Sequence, residues 1–143
     1  MTHAELVKRA EAWLRGTQGC SVCVCELSTA SSETPDAIGW KGGLSTLIEC
    51  KVSRADFFRD KDKMHHRAGV GMGDQRYYMV PANLVQRDEV PPDWGLLEVG
   101  PRAVKKTKAA TTRASEPPDL IAERRRNEII VLTSAYRRLA LEA

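Results

Sequence analysis

The sequence predicts an α/β fold in which helices pack on one central sheet. At 143 residues the chain is long enough for one substantial core and too short for two ordinary domains. β-Branched and apolar runs with a period of two alternate with segments whose apolar residues recur at helical spacing. A long helical segment closes the chain. These three observations indicate one compact α/β unit.

The first half of the chain predicts a helix, three strands and a second helix. A capping box of Thr2 and Glu5 begins the first helix, and Leu6, Ala10 and Trp13 share one of its faces. Gly16 and residues beyond it end that helix. The predicted elements are a helix over 4–15, strands over 20–27, 36–40 and 44–51, and a helix over 54–63.

The second half predicts further strands and the long helix. Strands are expected over 76–80 and 94–99, a turn or short helix over 83–88, an edge strand over 102–106, a flexible connector over 107–118 and a helix over 119–141. The final helix carries one apolar stripe, which we expect to dock on the core or on a second subunit and which consists of Ile129, Leu132, Tyr136 and Leu139.

Two carboxylates and one lysine have a spacing that a β-hairpin can bring together. Strand alternation places Glu49 and Lys51 on one face, and the glycine-rich segment 41–43 supplies a turn that returns Asp36 to Glu49. An alternative interpretation is structural. Pro35-Asp36 is a common turn dipeptide, and Glu49 with Lys51 can form an ion pair on a solvated strand face.

This cluster has the composition of a metal site for phosphodiester hydrolysis. Asp36, Glu49 and the backbone carbonyl of Cys50 offer oxygen ligands for Mg²⁺, for which Mn²⁺ could substitute. Lys51 would orient a water molecule or stabilise the developing charge. Glu26 is a candidate extra ligand if the first two strands are antiparallel, and Glu33 is an alternative to it.

Basic residues predict a surface that contacts nucleic acid. Ser53 caps the second helix, whose N-terminus favours a phosphate. The net charge of +3 fits such contact without requiring it, and a solvated helix face explains the basic residues of the last third equally well. The candidate contacts are Ser53, Arg54, Lys61, Lys63, Arg67, Arg76, Arg124, Arg125 and Arg126.

The expected cellular setting follows from the absence of targeting signals and the use of cysteine. No apolar run reaches the length of a membrane span, and no signal-peptide pattern is present. We therefore expect a cytoplasmic protein whose four cysteines are reduced. Cys20 and Cys23 resemble half a zinc knuckle, but no second pair follows, and we expect the cysteines to be small buried apolar residues.

The residues around the cluster resemble the PD-(D/E)XK nuclease superfamily, and within it the MmcB-type DNA repair proteins and related phage-borne nuclease-like proteins. The resemblance spans about residues 4–107. It rests on the stretch from Glu49 to Phe57, with looser likeness over 60–63, 74–81 and 92–97. It implies a restriction-endonuclease-like αβββαβ core with a mixed sheet flanked by helices. It also implies that Asp36 and Glu49 bind metal and that Lys51 is the catalytic lysine.

One departure from that pattern concerns residues 69–73. There Gly69-Val70-Gly71-Met72-Gly73 replaces the aromatic and polar segment expected before the fourth strand, which leaves the choice of substrate open. Residues 1–107 would form the nuclease-like domain, and residues 108–143 a connector and basic helix packing on it or on a partner.

The sequence therefore predicts a Mg²⁺-dependent nuclease that cuts DNA in repair or in phage DNA metabolism, in a bacterial cell or a phage-infected host. One alternative is a module that binds DNA without cutting it. Another is an interaction protein, or a homodimer, that docks through the final helix.

Overall fold

A six-stranded sheet with helices on both faces forms the protein. The computed structural model describes residues 1–63 and 70–142. The elements are α1 His3–Gly16, β1 Val22–Cys25, β2 Ala37–Lys41, β3 Leu44–Cys50, α2 Arg54–Asp60, β4 Gln75–Pro81, β5 Trp94–Val99, β6 Val104–Lys108 and α3 Pro118–Glu142, with a 3₁₀ turn at Arg87–Glu89.

The strands lie in sequence order across the sheet, from β1 at one edge to β6 at the other. β1, β2 and β3 pair antiparallel, β3, β4 and β5 pair parallel, and β6 returns antiparallel to β5. Parallel neighbours need a crossover connection, and α2 lies in the one between β3 and β4. The predicted α/β class, with a mixed sheet flanked by helices and a long C-terminal helix, is confirmed.

Side-chain alternation divides the core into two apolar clusters, one on each face of the sheet. Ile48 belongs to the cluster under α1, where the ring of Trp13 lies edge-on to Tyr77 with centroids 5.3 Å apart. Leu47 belongs to the cluster under α2, where Phe57 meets Tyr78 at 4.8 Å. Glu49 is two residues after Leu47 and therefore lies on the α2 face.

The two N-terminal caps expected from the sequence are present, but α2 is shorter than predicted. Thr2 and Glu5 form the capping box of α1, and the Ser53 side chain accepts a hydrogen bond from the Asp56 amide at the start of α2. α2 ends at Asp60 because the Lys63 amide donates to the Asp60 carbonyl in a three-residue turn (3.0 Å) that departs from helical bonding.

Charged residues, not the predicted apolar stripe, attach α3 to the sheet. Arg124 and Glu128 are buried on its inward face. Arg124 donates to Asp74 (2.9 Å), and Glu128 accepts from the Ser45 hydroxyl (2.8 Å) and the Gly73 amide (2.9 Å). Ser45, Gly73 and Asp74 carry polar groups that need hydrogen-bond partners once α3 covers them. The polar face of α3 therefore turns inward.

The predicted docking stripe of α3 consequently faces outward. The exposed fraction is 56% for Ile129, 74% for Tyr136 and 66% for Leu139, whereas Val131 on another face is buried in the α2-side cluster. Leu132, the fourth residue of the stripe, is partly buried. The stripe as a whole therefore does not dock on the chain's own core, because the polar contacts of the buried face orient the helix, and its docking on a second subunit stays a prediction.

The connector before α3 is anchored where the sequence predicted flexibility. Arg113 is 5% exposed, and its guanidinium donates to the carbonyls of Gly71 and Gly73, each at 2.7 Å. Its backbone amide donates to the Asp74 carbonyl (2.9 Å). The threonine, alanine and proline content of the connector predicted a flexible segment, but one buried arginine fixes it to the loop before β4.

Membrane spanning depends on both the length and the composition of a helix. α3 has 25 residues, a length that can cross a bilayer, but charged residues recur along it. Within the part of the chain that the structure describes, no helix is both long and apolar enough for a membrane crossing.

We expect Asp74→Ala to lower the free energy of unfolding by about 3 kcal/mol, measured by urea denaturation. The loss sits at the lower end of the range for breaking a buried ion pair, because Glu116 still pairs with Arg124. The control is Asp62→Ala on the surface, which should change stability by less than about 0.5 kcal/mol. Equal effects of the two variants would contradict a role for Asp74 in holding α3.

A fall in pH should weaken the attachment of α3 through Asp74. Burial alone would raise the pKa of Asp74, but hydrogen bonds from Arg125, the Ser45 amide and Arg124 leave that pKa below its ordinary value. A lowered folded-state pKa adds stability above the unfolded-state value of about 3.9, and that stability is lost as the pH falls through the folded-state pKa. Below about pH 4 the wild type should lose stability more steeply than Asp74→Asn. If the free energy of unfolding fell equally with pH in both proteins, Asp74 would not contribute to the acid sensitivity.

Candidate active site

The β2–β3 hairpin brings together the three side chains that the sequence singled out. Ala37 pairs with Ile48, so Asp36 stands beside the end of β3, where its Oδ2 accepts a hydrogen bond from the Cys50 amide at 2.7 Å. Asp36, Glu49 and Lys51 line one cleft of about 270 Å³, and its other lining residues are Ser32, Thr34, Asp60 and Lys63. The spacing therefore correctly placed the side chains, while their roles remain a prediction.

Carboxylates of the cleft act electrostatically on two buried groups beside it. Burial, followed by the charges of Asp36 and Glu49, raises the pKa of the Cys50 thiol. Burial, followed by the charges of Asp60 and Glu49, raises the pKa of the Tyr78 hydroxyl. Both groups therefore stay neutral at physiological pH. The carboxylates give this part of the molecule a field that attracts cations.

Asp60 is a member of the cleft that sequence reasoning missed. Its side chain is 3% exposed at the end of α2, and its Oδ1 lies 2.9 Å from the ammonium of Lys51 and 3.0 Å from that of Lys63. The helical spacing of Asp60 could have predicted its place in the cleft. Asp60 is three residues after the buried Phe57, so it shares the helix face that points to the sheet.

A second missed residue is His3, which meets the expected extra ligand Glu26. The His3 Nε2 lies 2.6 Å from Glu26 Oε1 and 3.6 Å from Asp36 Oδ1. One ligand atom from each of the three residues lies within 4.8 Å of the others. The antiparallel pairing of β1 and β2 thus places Glu26 near Asp36 as predicted, and the start of α1 adds an imidazole to that corner.

Glu33, the alternative to Glu26, has a different position. It is 3% exposed, and its Oε1 accepts a hydrogen bond from the Met72 amide at 2.8 Å. Glu33 therefore anchors the loop before β4 and lines neither of the two clefts that contain Asp36. Its position two residues before Pro35 predicted a place beside Asp36, but its side chain is buried inside the protein.

The oxygen donors at the hairpin fit a hard divalent cation. The amide and carbonyl of one strand residue point to the same neighbouring strand, so the Cys50 carbonyl lies on the side of Asp36, to which its amide donates. With the carboxylates of Asp36 and Glu49, it forms an all-oxygen donor set of the kind that Mg²⁺ and Mn²⁺ prefer. A neighbouring cleft of about 320 Å³ also contains Asp36, Cys50 and Lys51.

Three predicted nucleic-acid contacts instead serve the fold. Arg76 is 2% exposed, its guanidinium lies 4.6 Å from the centre of the Trp94 ring, and burial lowers its pKa to about 9. Arg124 is buried against Asp74. Arg125 is half-buried and donates to the same carboxylate at 2.8 Å. The assignment of Arg76, Arg124 and Arg125 to phosphate binding is therefore corrected, because a count of basic residues does not include burial.

Three candidates around α2 already have protein partners. Arg54 makes a two-pronged ion pair with Glu89, at 3.0 and 2.8 Å, on the protein surface. The ammonium of Lys61 lies 4.8 Å from the centre of the Phe58 ring. Ser53 uses its hydroxyl to cap α2. A phosphate would have to compete with these contacts.

The remaining basic candidates differ in position. Lys63 lines both clefts that contain Asp36, and its side chain is 54% exposed. Arg126 is exposed on α3. Arg67 lies outside the described residues. Lys63 is thus the predicted contact that the structure places closest to the candidate metal ligands.

Comparisons with known proteins bear on the fold alone. No family model matches the sequence, and no curated protein matches it. Among solved structures, the chain is similar to the SPO1766 protein of unknown function from Silicibacter pomeroyi, with a TM-score of 0.69 and 24% identity. The similarity covers 97% of this chain and 90% of that one. The architecture is therefore shared over nearly the whole length of both proteins.

A Mg²⁺ site formed by Asp36 and Glu49 would exist only in the folded chain, so Mg²⁺ at tenfold excess over its Kd should then stabilise the protein by about 1.4 kcal/mol. This corresponds to a rise in Tm of roughly 3 to 8 °C, measured by melts in EDTA and in Mg²⁺ at matched ionic strength. Asp36→Asn should gain little, while Asp62→Asn should respond like the wild type. Equal shifts in all three proteins would show that Asp36 is not a ligand.

Proposed function

We propose that the protein is a Mg²⁺-dependent deoxyribonuclease of the PD-(D/E)XK type with a restriction-endonuclease-like core. The observation that carries this proposal is that Asp36, Glu49 and Lys51 line one cleft at the end of the β2–β3 hairpin. Two carboxylates beside an ammonium suit the cleavage of a phosphodiester with the help of a metal ion.

The order of the elements supports the proposed core. One helix, three antiparallel strands, a crossover helix and a parallel strand follow each other along the chain, which is the αβββαβ order that the resemblance implies. The exposed cations Lys63 and Arg59 line the neighbouring cleft, which also contains Asp36 and Lys51, and suit an anionic substrate. A function in DNA repair or phage DNA metabolism rests on the resemblance.

Each proposed catalytic side chain is held by the fold. The Cys50 amide fixes one oxygen of Asp36, and burial on β3 limits the movement of Glu49. Asp60 holds the ammonium of Lys51 at the cleft, where it can orient water or stabilise the charge that develops on the phosphate. Mg²⁺ bound by Asp36, Glu49 and the Cys50 carbonyl would activate water and offset that charge.

A second candidate function is supported by the outer face of α3. Tyr136, Leu139 and Leu141 are each more than half exposed there. Such apolar exposure is typical of surfaces that bind other proteins. We therefore also propose a module on the same fold that binds DNA or a protein partner, including a second copy of the chain, without cleavage.

Asp36→Asn, Glu49→Gln and Lys51→Ala should each reduce DNA cleavage by about 100-fold or more, measured on duplex, branched and single-stranded DNA with Mg²⁺ or Mn²⁺. Combined variants should lose little more, because residues that act as one catalytic unit are not additive. Lys41→Ala, at the opposite end of β2, removes the same charge and should retain activity.

Two results would overturn parts of this proposal. Full activity of Lys51→Ala would exclude the assigned catalytic lysine. Binding of DNA by the wild type without cleavage of any substrate, with either metal, would favour the non-catalytic module. Circular dichroism and urea denaturation of each variant would separate loss of chemistry from loss of the fold.

A further inference from the structure

Two lysines share one buried carboxylate oxygen in the cleft. Lys51 comes from the end of β3 and its side chain is 16% exposed, whereas Lys63 comes from the turn after α2 and its side chain is 54% exposed. Both ammonium groups lie within 3.0 Å of Asp60 Oδ1. Lys61, in the same turn, lies over the Phe58 ring instead, so the contact of Lys63 is specific to its position.

Asp60 is itself held firmly enough to position other groups. It lies on the buried face of α2 beside Phe57, whose ring packs on Tyr78 of β4 at 4.8 Å. The Tyr78 hydroxyl lies 3.5 Å from Asp60 Oδ2. A lysine side chain has a flexible four-carbon stem, and an anchored carboxylate limits where its ammonium can go.

Among the described contacts of Asp60, the two lysines outnumber the carboxylate by one positive charge. Asp60 carries one negative charge and faces two ammonium groups, so these three residues together have a surplus of one positive charge. A divalent cation would neutralise Asp36 and Glu49. The remaining positive charge matches the single negative charge of a phosphodiester, whose oxygens accept charge-assisted hydrogen bonds from ammonium groups.

We propose that Asp60 is a positioning residue for Lys51 and Lys63, and that Lys63 contacts the scissile phosphate of DNA as a second cation beside Lys51. This inference rests on the proposed function for the identity of its substrate. The hydrogen bond to Asp60 raises the pKa of Lys63, and the charges of Glu49 and Asp36 add to this effect. Lys63 therefore remains charged over the whole physiological pH range.

The first test is DNA binding with Ca²⁺ in place of Mg²⁺, measured by fluorescence anisotropy of a labelled duplex over a salt series. Lys63→Met should weaken binding about tenfold and reduce the log-log salt slope by about 0.9, as expected for one lost phosphate contact. Lys41→Met is the matched control at the far end of β2, and its slope should equal that of the wild type. Equal slopes for Lys63→Met and the wild type would exclude the contact.

The second test separates positioning from a general structural role. Asp60→Asn should weaken DNA binding at least as much as Lys63→Met, and the double variant should bind no more weakly than Asp60→Asn alone, because the carboxylate acts through the lysine. Additive losses would show that Asp60 does not act through Lys63. Asp62→Asn, an exposed neighbour, serves as the control, and Asp60→Glu should restore part of the affinity.

Measurements of DNA cleavage and of metal binding show whether the roles of Asp60 and Lys63 are wrong or the proposed nuclease activity is wrong. The Mg²⁺-dependent rise in Tm should be at least as large in Lys63→Met as in the wild type, since the proposed metal ligands are untouched and a nearby positive charge is removed. In an active enzyme, Lys63→Met should mainly raise KM and Asp60→Asn should lower kcat by about 100-fold through misplacement of Lys51. Wild-type cleavage with unchanged kinetics in both variants would overturn the inference alone. DNA binding that depends on Lys63 in a protein that never cleaves would overturn the nuclease alone.

Discussion

The register of β3 decides on which face of the sheet Glu49 lies, because successive side chains of a strand point to opposite faces. A shift of one residue would exchange Glu49 with Cys50 and carry the carboxylate under α1, into an apolar cluster. The hydrogen bond from the Cys50 amide to Asp36 closes the β2–β3 pair at the end where the cleft begins. The same hydrogen bond therefore links Asp36 and Cys50, two of the proposed metal ligands.

Two ionic clusters lie at opposite ends of β3 on the same face of the sheet. At the start of the strand, the Ser45 amide and the side chains of Arg124 and Arg125 donate to Asp74 under α3. At its end, Lys51 pairs with Asp60. About six residues of extended chain, or roughly 20 Å, separate Ser45 from Lys51. The first cluster is covered and its charges bond to one another, whereas the second lines a cleft and keeps a partly exposed cation, as a site for an external ligand requires.

Local sequence patterns predicted the helices and strands and which strands pair. They failed where the position of a side chain depends on a partner from another part of the chain. The bounds of β5 are those expected from the sequence, and the hairpin brings Asp36 to Glu49, because alternation and turn residues act within a few positions. Burial of Arg76 depends on Trp94, a strand away in the sheet. The position of His3 likewise depends on Glu26, 23 residues along the chain. A charged residue in a sequence does not indicate whether it will face solvent or a buried partner.

The glycine-rich departure from the expected nuclease pattern has a structural explanation in its described part. Gly73 has a φ of +92°, and a Cβ there would lie 2.8 Å from the Cβ of Leu47 in the core. Its amide donates to Glu128 of α3, and its carbonyl accepts from Arg113. Any residue with a side chain would therefore strain this turn and disturb the attachment of α3. The segment was expected to bear on the choice of substrate, but at Gly73 it allows the connector and α3 to pack beside the start of β4. The glycine at position 73 thus serves the attachment of α3 at the start of β4, while the cleft lies at the opposite end of β3.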